Sequence, residues 1–403
     1  MPFSRSAGVV LACTVGNAVS ITPMVFTVFG LFLLPISAEF NWPRSAISVV
    51  LLIISIAGAV SNPIVGQLVD RYGARRVVLV GNLAFAAAIA GVALIGPHRW
   101  QLYLAYALVG VAGTIPSSVT FTKVIAGWFD RNRGLFLGVV GGLGNGVGAA
   151  LSPLLVEWLI ADHGWRVGYQ GVAVATAAIG FPVLFALLRD PGRPAQLAVS
   201  PSTGARDDDM TLSAARRTRT FWVILLAIAL GAGCMTAVFA HVVPMLLDRG
   251  VPANQATFVL VVFSMVTAGW QIAVGFLLDR VPRAWVATPF YLVALAGLIL
   301  FSTGSNYSQL VTAGALMGLG LGTEYGVLPY FLSRYFGVAH YGSISGAIYG
   351  FIVLTQGFTP FLMDLVFDTT GSYHAAILVI GAGLVAGAAL ILWLPPFRMS
   401  SRL

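Results

Sequence analysis

Gly66-Gln67-Leu68-Val69-Asp70-Arg71-Tyr72-Gly73-Ala74-Arg75-Arg76 closes one long apolar run, and Gly275-Phe276-Leu277-Leu278-Asp279-Arg280-Val281-Pro282-Arg283 closes another. Positions 66 and 275 lie 209 residues apart in a chain of 403. A second phrase repeats at nearly the same offset: Gly127-Trp128-Phe129 with Arg133-Gly134 and Gly138 is echoed by Tyr335-Phe336 with Tyr341-Gly342 and Gly346. Self-similarity at a fixed offset means that one structural unit occurs twice. The second copy is degenerate, with Pro282 in place of Gly73 and Ala284-Trp285 in place of the paired arginines.

The material between the repeats is membrane material. Hydrophobic residues make up 58% and charged residues 9% of the chain, and the mean hydropathy is +0.90, outside the range of soluble domains. A bilayer crossing needs about 20 apolar residues, and about twelve such runs can be laid out, the first at 8–35 and the last at 374–394. The first run is too long for a cleaved leader, whose apolar part covers about 7–15 residues, so it is read as a span. The polar stretch 189–219, rich in Pro, Ser, Arg and Asp, separates the copies. The expected organisation is an all-α membrane protein of about twelve helices in two pseudo-symmetric six-helix halves: 1–188, a linker at 189–219, and 220–403. Two similar membrane halves are a common plan of secondary transporters, with the substrate held near mid-bilayer between the repeats.

With the N-terminus placed in the cytoplasm, 18 of the 22 cations fall on that side and only Arg44, Arg99, Arg166 and Arg249 on the other. This asymmetry predicts cytoplasmic termini and linker, and a bacterial inner (plasma) membrane is the expected location. The net charge of +8 is thereby absorbed by topology, and no basic face remains to suggest nucleic-acid binding. Cys13 and Cys234 sit inside apolar runs and form neither a disulfide framework nor a metal spacing. Asp207-Asp208-Asp209 reads as a solvated charge run rather than a metal site. No Gly-x-x-x-x-Gly-Lys phosphate loop occurs, and Gly342-Ser343-Ile344-Ser345-Gly346 does not fit a nucleophile elbow. An enzyme, a cofactor and a metal are therefore not expected.

The Gly-x-x-x-Asp-Arg-x-Gly-x-Arg-Arg loop after the second predicted helix, with its degenerate copy after the eighth, resembles the major facilitator superfamily over essentially the whole chain. Within it, Phe26-Thr27-Val28-Phe29-Gly30, Phe40-Asn41-Trp42-Pro43-Arg44-Ser45, and Gly127-Trp128-Phe129 with Arg133-Gly134 resemble the monocarboxylate and oxalate:formate porter branch. The resemblance implies a monomeric carrier that alternates access by rocking its halves, with helices 1, 4, 7 and 10 lining the cavity. It implies a small organic acid as substrate, moved with protons or against a counter-transported anion. The branch is also marked by a cation in helix 8, where this chain has Ser264-Met265-Val266-Thr267-Ala268-Gly269-Trp270-Gln271. An exporter of drugs or hydrophobic metabolites is the alternative, although the Gly-Pro phrase of such exporters is absent from Gly144-Asn145-Gly146-Val147-Gly148-Ala149-Ala150-Leu151-Ser152-Pro153.

The loop has a physical reading as a gate. Gly66 permits close helix approach, while Asp70, Arg71, Arg75 and Arg76, with Asp279 and Arg280 of the second copy, lie at one edge where they can pair across the halves. Such a pair would hold that face shut and break at each turnover, the gate role that the resemblance implies, the alternative being that the arginines only fix topology.

Inside the membrane an ionisable group is costly and usually functional. Glu324 is the clearest case, within Gly318-Leu319-Gly320-Leu321-Gly322-Thr323-Glu324-Tyr325-Gly326 of predicted helix 10. A carboxyl there can sit protonated and exchange its proton as access alternates, which makes Glu324 the expected coupling or substrate-binding acid, the alternative being a neutral Glu hydrogen-bonded to a neighbouring helix for structure. Lys123 in helix 4 either holds an anion or snorkels to the interface. His241 in helix 7 either relays protons or is a hydrogen-bonded structural histidine. Asn17, Asn145, Gln271, Tyr325, Tyr330, Tyr349 and Gln356 complete the expected polar lining. Glu157 and Asp364, near helix ends, read as interfacial. Gly144-x-x-x-Gly148 and Gly346-x-x-x-Gly350 read as small-residue faces for close helix contact.

Overall fold

A computed structural model describes the chain except residues 1, 130–135, 137, 191–209, 282, 338–340 and 398–403, and except the side chains of residues 2–4, 70, 126, 279, 341 and 342. Asp70, Asp279, Arg133 and the triple Asp of the linker thus lie, as side chains, outside the described residues. Before the linker run the spans α1 Arg5–Phe40, α3 Ala74–Val92, α4 Arg99–Ile125, α5 Val139–His163 and α6 Trp165–Leu187 join α2 Arg44–Tyr72. After it come α7 Arg219–Asp248, α8 Ala253–Arg280, α9 Ala284–Thr303, α10 Tyr307–Phe336, α11 Tyr341–Thr370 and α12 His374–Leu392. Eleven helices are long and apolar enough to cross a membrane among the described residues. The twelfth, α10, has 30 residues and is diluted in hydropathy by Glu324 and its glycines.

The chain reverses between spans in very few residues, and sequence sets how. α1 ends at Asn41, whose φ of 56° is left-handed, and the following Pro43 cannot donate an amide hydrogen to continue the helix. Between α2 and α3 the turn is the single residue Gly73 at φ 84°, a conformation that costs glycine nothing. A side chain there would also meet the Asp190 carboxylate, whose Oδ2 lies 2.7 Å from where a Cβ would stand. That carboxylate accepts the backbone N–H of Arg75 at 2.9 Å, capping α3.

Counted from Arg5 at the start of α1, even numbers of crossings put residues 73, 190, 210 and 397 on one face, here called the linker face, and odd numbers put residues 41–44, 248 and 371 on the opposite, far face. The two helix sets meet through α1 with α7, α2 with α11, and α5 with α8. Small residues allow this: Gly30 of α1 abuts the carbonyl of Ala240, and Gly146 of α5 abuts the side chain of Ala268. At Gly357 of α11 a Cβ would lie 2.7 Å from the carbonyl oxygen of Leu51 and against the Ser55 side chain. Toward the linker face the glycines of the same two helices stand in open space. A Cβ at Gly66 of α2, or at Gly346 or Gly350 of α11, would meet nothing within 4 Å. Gly66 and the Gly346/Gly350 face, expected as close-approach surfaces, therefore make no such contact in this conformation, whereas Gly144 and Gly148 do, against Thr14 and Ala18 of α1.

The contact at Gly357 is against a backbone carbonyl, which cannot rotate away as a side chain can. Gly357→Val is expected to cost about 1–3 kcal/mol as overpacking and to pry α2 from α11 at the far face. Spin labels at the exposed residues Leu94 and Ser305, in the two far-face loops, should then report a longer distance than in the unsubstituted protein.

Candidate functional site

Glu324 lies at the middle of α10, 2% exposed, facing Gly231 of α7 so closely that a Cβ on Gly231 would collide with its Oε1. Tyr291 of α9 closes the back of this niche, with its hydroxyl 2.7 Å from the same point and donating to the carbonyl of Ala227 at 3.3 Å. Glu324 Oε2 is buried and has no hydrogen-bond partner among the described residues. An unmet buried polar group costs about 1–3 kcal/mol, so its retention calls for a use. In front of it lies a small cavity of about 70 Å³ lined by Ile228 and Ala232 of α7, Glu324, Tyr325 and Leu328 of α10, and Tyr349, Ile352 and Gln356 of α11. Gln356 Nε2 donates to the Tyr325 hydroxyl at 3.1 Å. Four of the expected residues, Glu324, Tyr325, Tyr349 and Gln356, thus share one cavity.

The others stand elsewhere. Asn17 is fully buried, and its amide is spent on the helix packing: it donates to the Val140 carbonyl at 2.7 Å and accepts Ser118 Oγ at 2.7 Å. Residues Val139–Gly144 of α5 form a π-helical turn, which leaves a carbonyl without its usual partner, and Asn17 supplies the missing donor. Asn145 extends this cluster to Ser118 at 3.2 Å and Ser20 at 3.4 Å. Lys123 Nζ reaches the carbonyl of Gly66 at 3.5 Å, joining α4 to α2. Gln271 lies on α8 beside Gly322 and Gly326 of α10, outside the cavity lining. Tyr330, also expected in the lining, instead donates to the Leu278 carbonyl at 3.0 Å.

A second constellation ties the helix sets together at the far face. Arg44, the first residue of α2, forms a two-pronged ion pair with Asp248 at the end of α7, Nη1 to Oδ2 at 2.6 Å and Nη2 to Oδ1 at 2.8 Å. Its guanidinium lies 3.9 Å from the Phe367 ring centroid and donates to the Tyr373 hydroxyl at 2.8 Å. Asp368 of α11 accepts the backbone N–H groups of Arg44 and Ser45 at 3.0 and 2.8 Å, so the N-terminus of a helix in one set is capped by a carboxylate of the other. One turn deeper, Asp364 is completely buried, which corrects its reading as an interfacial residue. Its Oδ2 takes Ser48 Oγ of α2 and pairs with His241 Nε2 at 2.8 Å, and its Oδ1 takes the Tyr373 hydroxyl at 2.9 Å. His241 therefore sits in this clasp and not beside Glu324.

At the linker face no described ion pair crosses between the sets. Arg75, expected to pair across, donates Nη2 to the carbonyl of Phe185 at 2.7 Å within its own set. Arg71, Arg76 and Arg280 are exposed.

The sequence matches the family model of the Major Facilitator Superfamily over residues 15–360. It is 25% identical over 385 residues to the MFS-type transporter YcxA of Bacillus subtilis, covering 92% of this chain and 90% of that one. It is 28% identical over 370 residues to monocarboxylate transporter 11 of Homo sapiens, covering 83% and 72%. The crystal structure of a bacterial homolog of the human lysosomal transporter Spinster, inward-facing and unoccupied, shares the fold at a TM-score of 0.70 and 16% identity, covering 96% of this chain and 94% of that one.

The Arg44 side chain is only 12% exposed and that of Asp248 31%, so their pairing is worth more than that of a fully solvated pair. Arg44→Met is expected to weaken far-face closure by about 1.5–3 kcal/mol, the scale of a hydrogen-bonded charge contact. The check is the Leu94–Ser305 label distance, whose short population should shrink, with a smaller change for Asp248→Asn.

Proposed function

Because the chain belongs to the Major Facilitator Superfamily, we propose that it is a secondary carrier for a small organic acid of the monocarboxylate kind, coupled to protons or to a counter-transported anion, with Glu324 as the acid that exchanges the proton. The observation that carries this reading is the buried Glu324 oxygen with no partner, at the wall of a cavity that offers tyrosine hydroxyls and an amide. No Lys or Arg lines that cavity, so an anionic substrate would enter a low-dielectric site with no fixed countercharge. A proton carried with it, on Glu324 or on the substrate, removes that cost. The cavity volume supports a small ligand head, since about 10–15 Å³ of such volume suffices for one water.

The linker face is proposed to be cytoplasmic, from the distribution of the cations, with both termini on that side, a bacterial inner membrane as the site, and a monomer as the working unit. Alternation would then break the far-face clasp while the loop carrying Asp70, Arg71, Arg75 and Arg76 closes the linker face against the other set. Export of a drug or hydrophobic metabolite is the second reading, favoured by Ile228, Ala232, Leu328 and Ile352 in the same lining.

Transport in proteoliposomes decides between them, using labelled mono- and dicarboxylates with and without an imposed pH gradient. The expected result is gradient-driven accumulation of an acid that falls about tenfold or more in Glu324→Gln, the size of a lost charge-assisted contact, while exchange persists. Absence of uptake of any acid overturns the organic-acid assignment, and Glu324→Gln transport equal to the unsubstituted protein overturns the role of Glu324.

A further inference from the structure

The His241–Asp364 contact has a proton inventory that its geometry fixes. His241 Nδ1 lies 2.7 Å from the carbonyl oxygen of Ala237, which can only accept, so Nδ1 carries hydrogen. In a neutral imidazole the other nitrogen is then an acceptor. Nε2 faces Asp364 Oδ2 at 2.8 Å, and an ionised carboxylate is acceptor-only. Two acceptors do not make a 2.8 Å contact, so one proton lies between them, on either atom. Both side chains are 0% exposed, which seals that proton from solvent in this conformation.

The same carboxylate is what the other helix set holds on to. Ser48 of α2 donates to Oδ2, and Tyr373 donates to Oδ1 while receiving Arg44 of α2. Removing the shared proton would set the Nε2 lone pair against the carboxylate, turning Asp364 away from Ser48 and Tyr373. The charged groups around the pair come from several helices. Arg44, from α2, pairs its guanidinium with Asp248 on α7, gives its backbone N–H to Asp368 on α11 and reaches Asp364 only through the Tyr373 hydroxyl. From α1, Glu39 is turned away to Arg166 and Trp165. Arg249, after α7, is spent on the carbonyls of Phe301 and Gly304. On α12, His374 is exposed, and the far-face halves of α8 and α10 carry no charged side chain.

We propose that the His241–Asp364 pair is a proton-binding site of the far-face gate: one proton must be bound there for the gate to shut, and it exchanges with far-side water when α2 carries Ser48 and Arg44 away. This rests on the alternating-access reading but neither on the identity of the substrate nor on Glu324. The gate thus reads the proton concentration on its own side of the membrane before it closes.

The test uses the full chain in lipid nanodiscs with no substrate, Cys13 and Cys234 replaced by Ser, and spin labels at positions 94 and 305. Distance distributions are recorded from about pH 5 to pH 9, spanning the ordinary histidine range. The expected result is a shut population at low pH that gives way to an open one as pH rises, the ratio changing by at most about tenfold per pH unit for one proton. In His241→Gln the amide supplies a donor that does not titrate, and the shut population should become independent of pH. If that variant fails to fold, Asp364→Asn, whose amide can donate to Nε2, should flatten the profile in the same way. A pH-independent distance in the unsubstituted protein overturns the proposal, as does a pH response that survives in His241→Gln or Asp364→Asn. In Glu324→Gln the response should persist. Its loss there would move the proton site to Glu324 and overturn the gate assignment, whereas failure of acid transport alone would leave it standing.

Discussion

Inside a bilayer there is no water to satisfy a polar group, so each one must find its partner in the protein or stand for a use. Most of this structure follows from that constraint. The helix turns are short and end at Asn41, Gly73 or Gly371, where positive φ lets the backbone reverse within a residue or two. Ser55, Thr114 and Thr176 return their hydroxyls to the carbonyl four residues back. Asn17 repairs the carbonyl left over by the π-turn of α5. Among the described residues Arg75 Nε, both amide atoms of Asn82 and the hydroxyls of Ser117, Thr236, Thr257 and Thr288 are also buried without a partner, but Glu324 is the one carboxyl in that condition.

The two halves repeat one architecture but have divided its work. In the N-terminal set the polar atoms of α1, α4 and α5 are consumed by one another, through Asn17, Ser118 and Asn145. In the C-terminal set the corresponding space between α7, α10 and α11 holds a cavity and an acid. The asymmetry recurs at the gates. The N-terminus of α2 projects a cation and two free backbone N–H groups into carboxylates of α7 and α11, whereas α8, its repeat partner, begins Pro252-Ala253-Asn254 and offers no charge. Under the proposed function, a ligand and a proton bound on the C-terminal side would act on the N-terminal set through these contacts.

Much of this was legible in the sequence. The duplicated loop, the apolar runs and the position of Glu324 are local patterns, and local patterns survive without coordinates. What was not legible is pairing over long separations. Asp364 looked interfacial because it stands six residues from the end of its helix, and only the packing of α2 and Tyr373 over it shows that it is buried. Arg44 and Asp248 stand 204 positions apart, and nothing local in either stretch marks them as partners. A usable signal did exist: four far-face cations had to be matched with far-face acids, and Arg44 stands where α2 emerges from the membrane. Asn17 shows the reverse error, since an asparagine at mid-depth looks like a ligand group until the π-turn beside it is seen to need a donor.

In the proposed mechanism, two buried acids at different depths would meet two separate conditions. A carrier that rocks about a central site must avoid opening on both sides at once, and it must not open with its proton lost. Under the proposed function, an acid beside the cavity would sense what is bound, whereas a gate residue would sense only whether its own face is shut. Placing Glu324 at mid-membrane and the His241–Asp364 pair at the far face separates these two conditions in space. Both elements are linked through α7, which carries Gly231 against Glu324 and, ten residues on, His241 against Asp364. Ten residues at about 1.5 Å each are roughly 15 Å of rigid helix, so a tilt of α7 that relieves one contact is felt at the other.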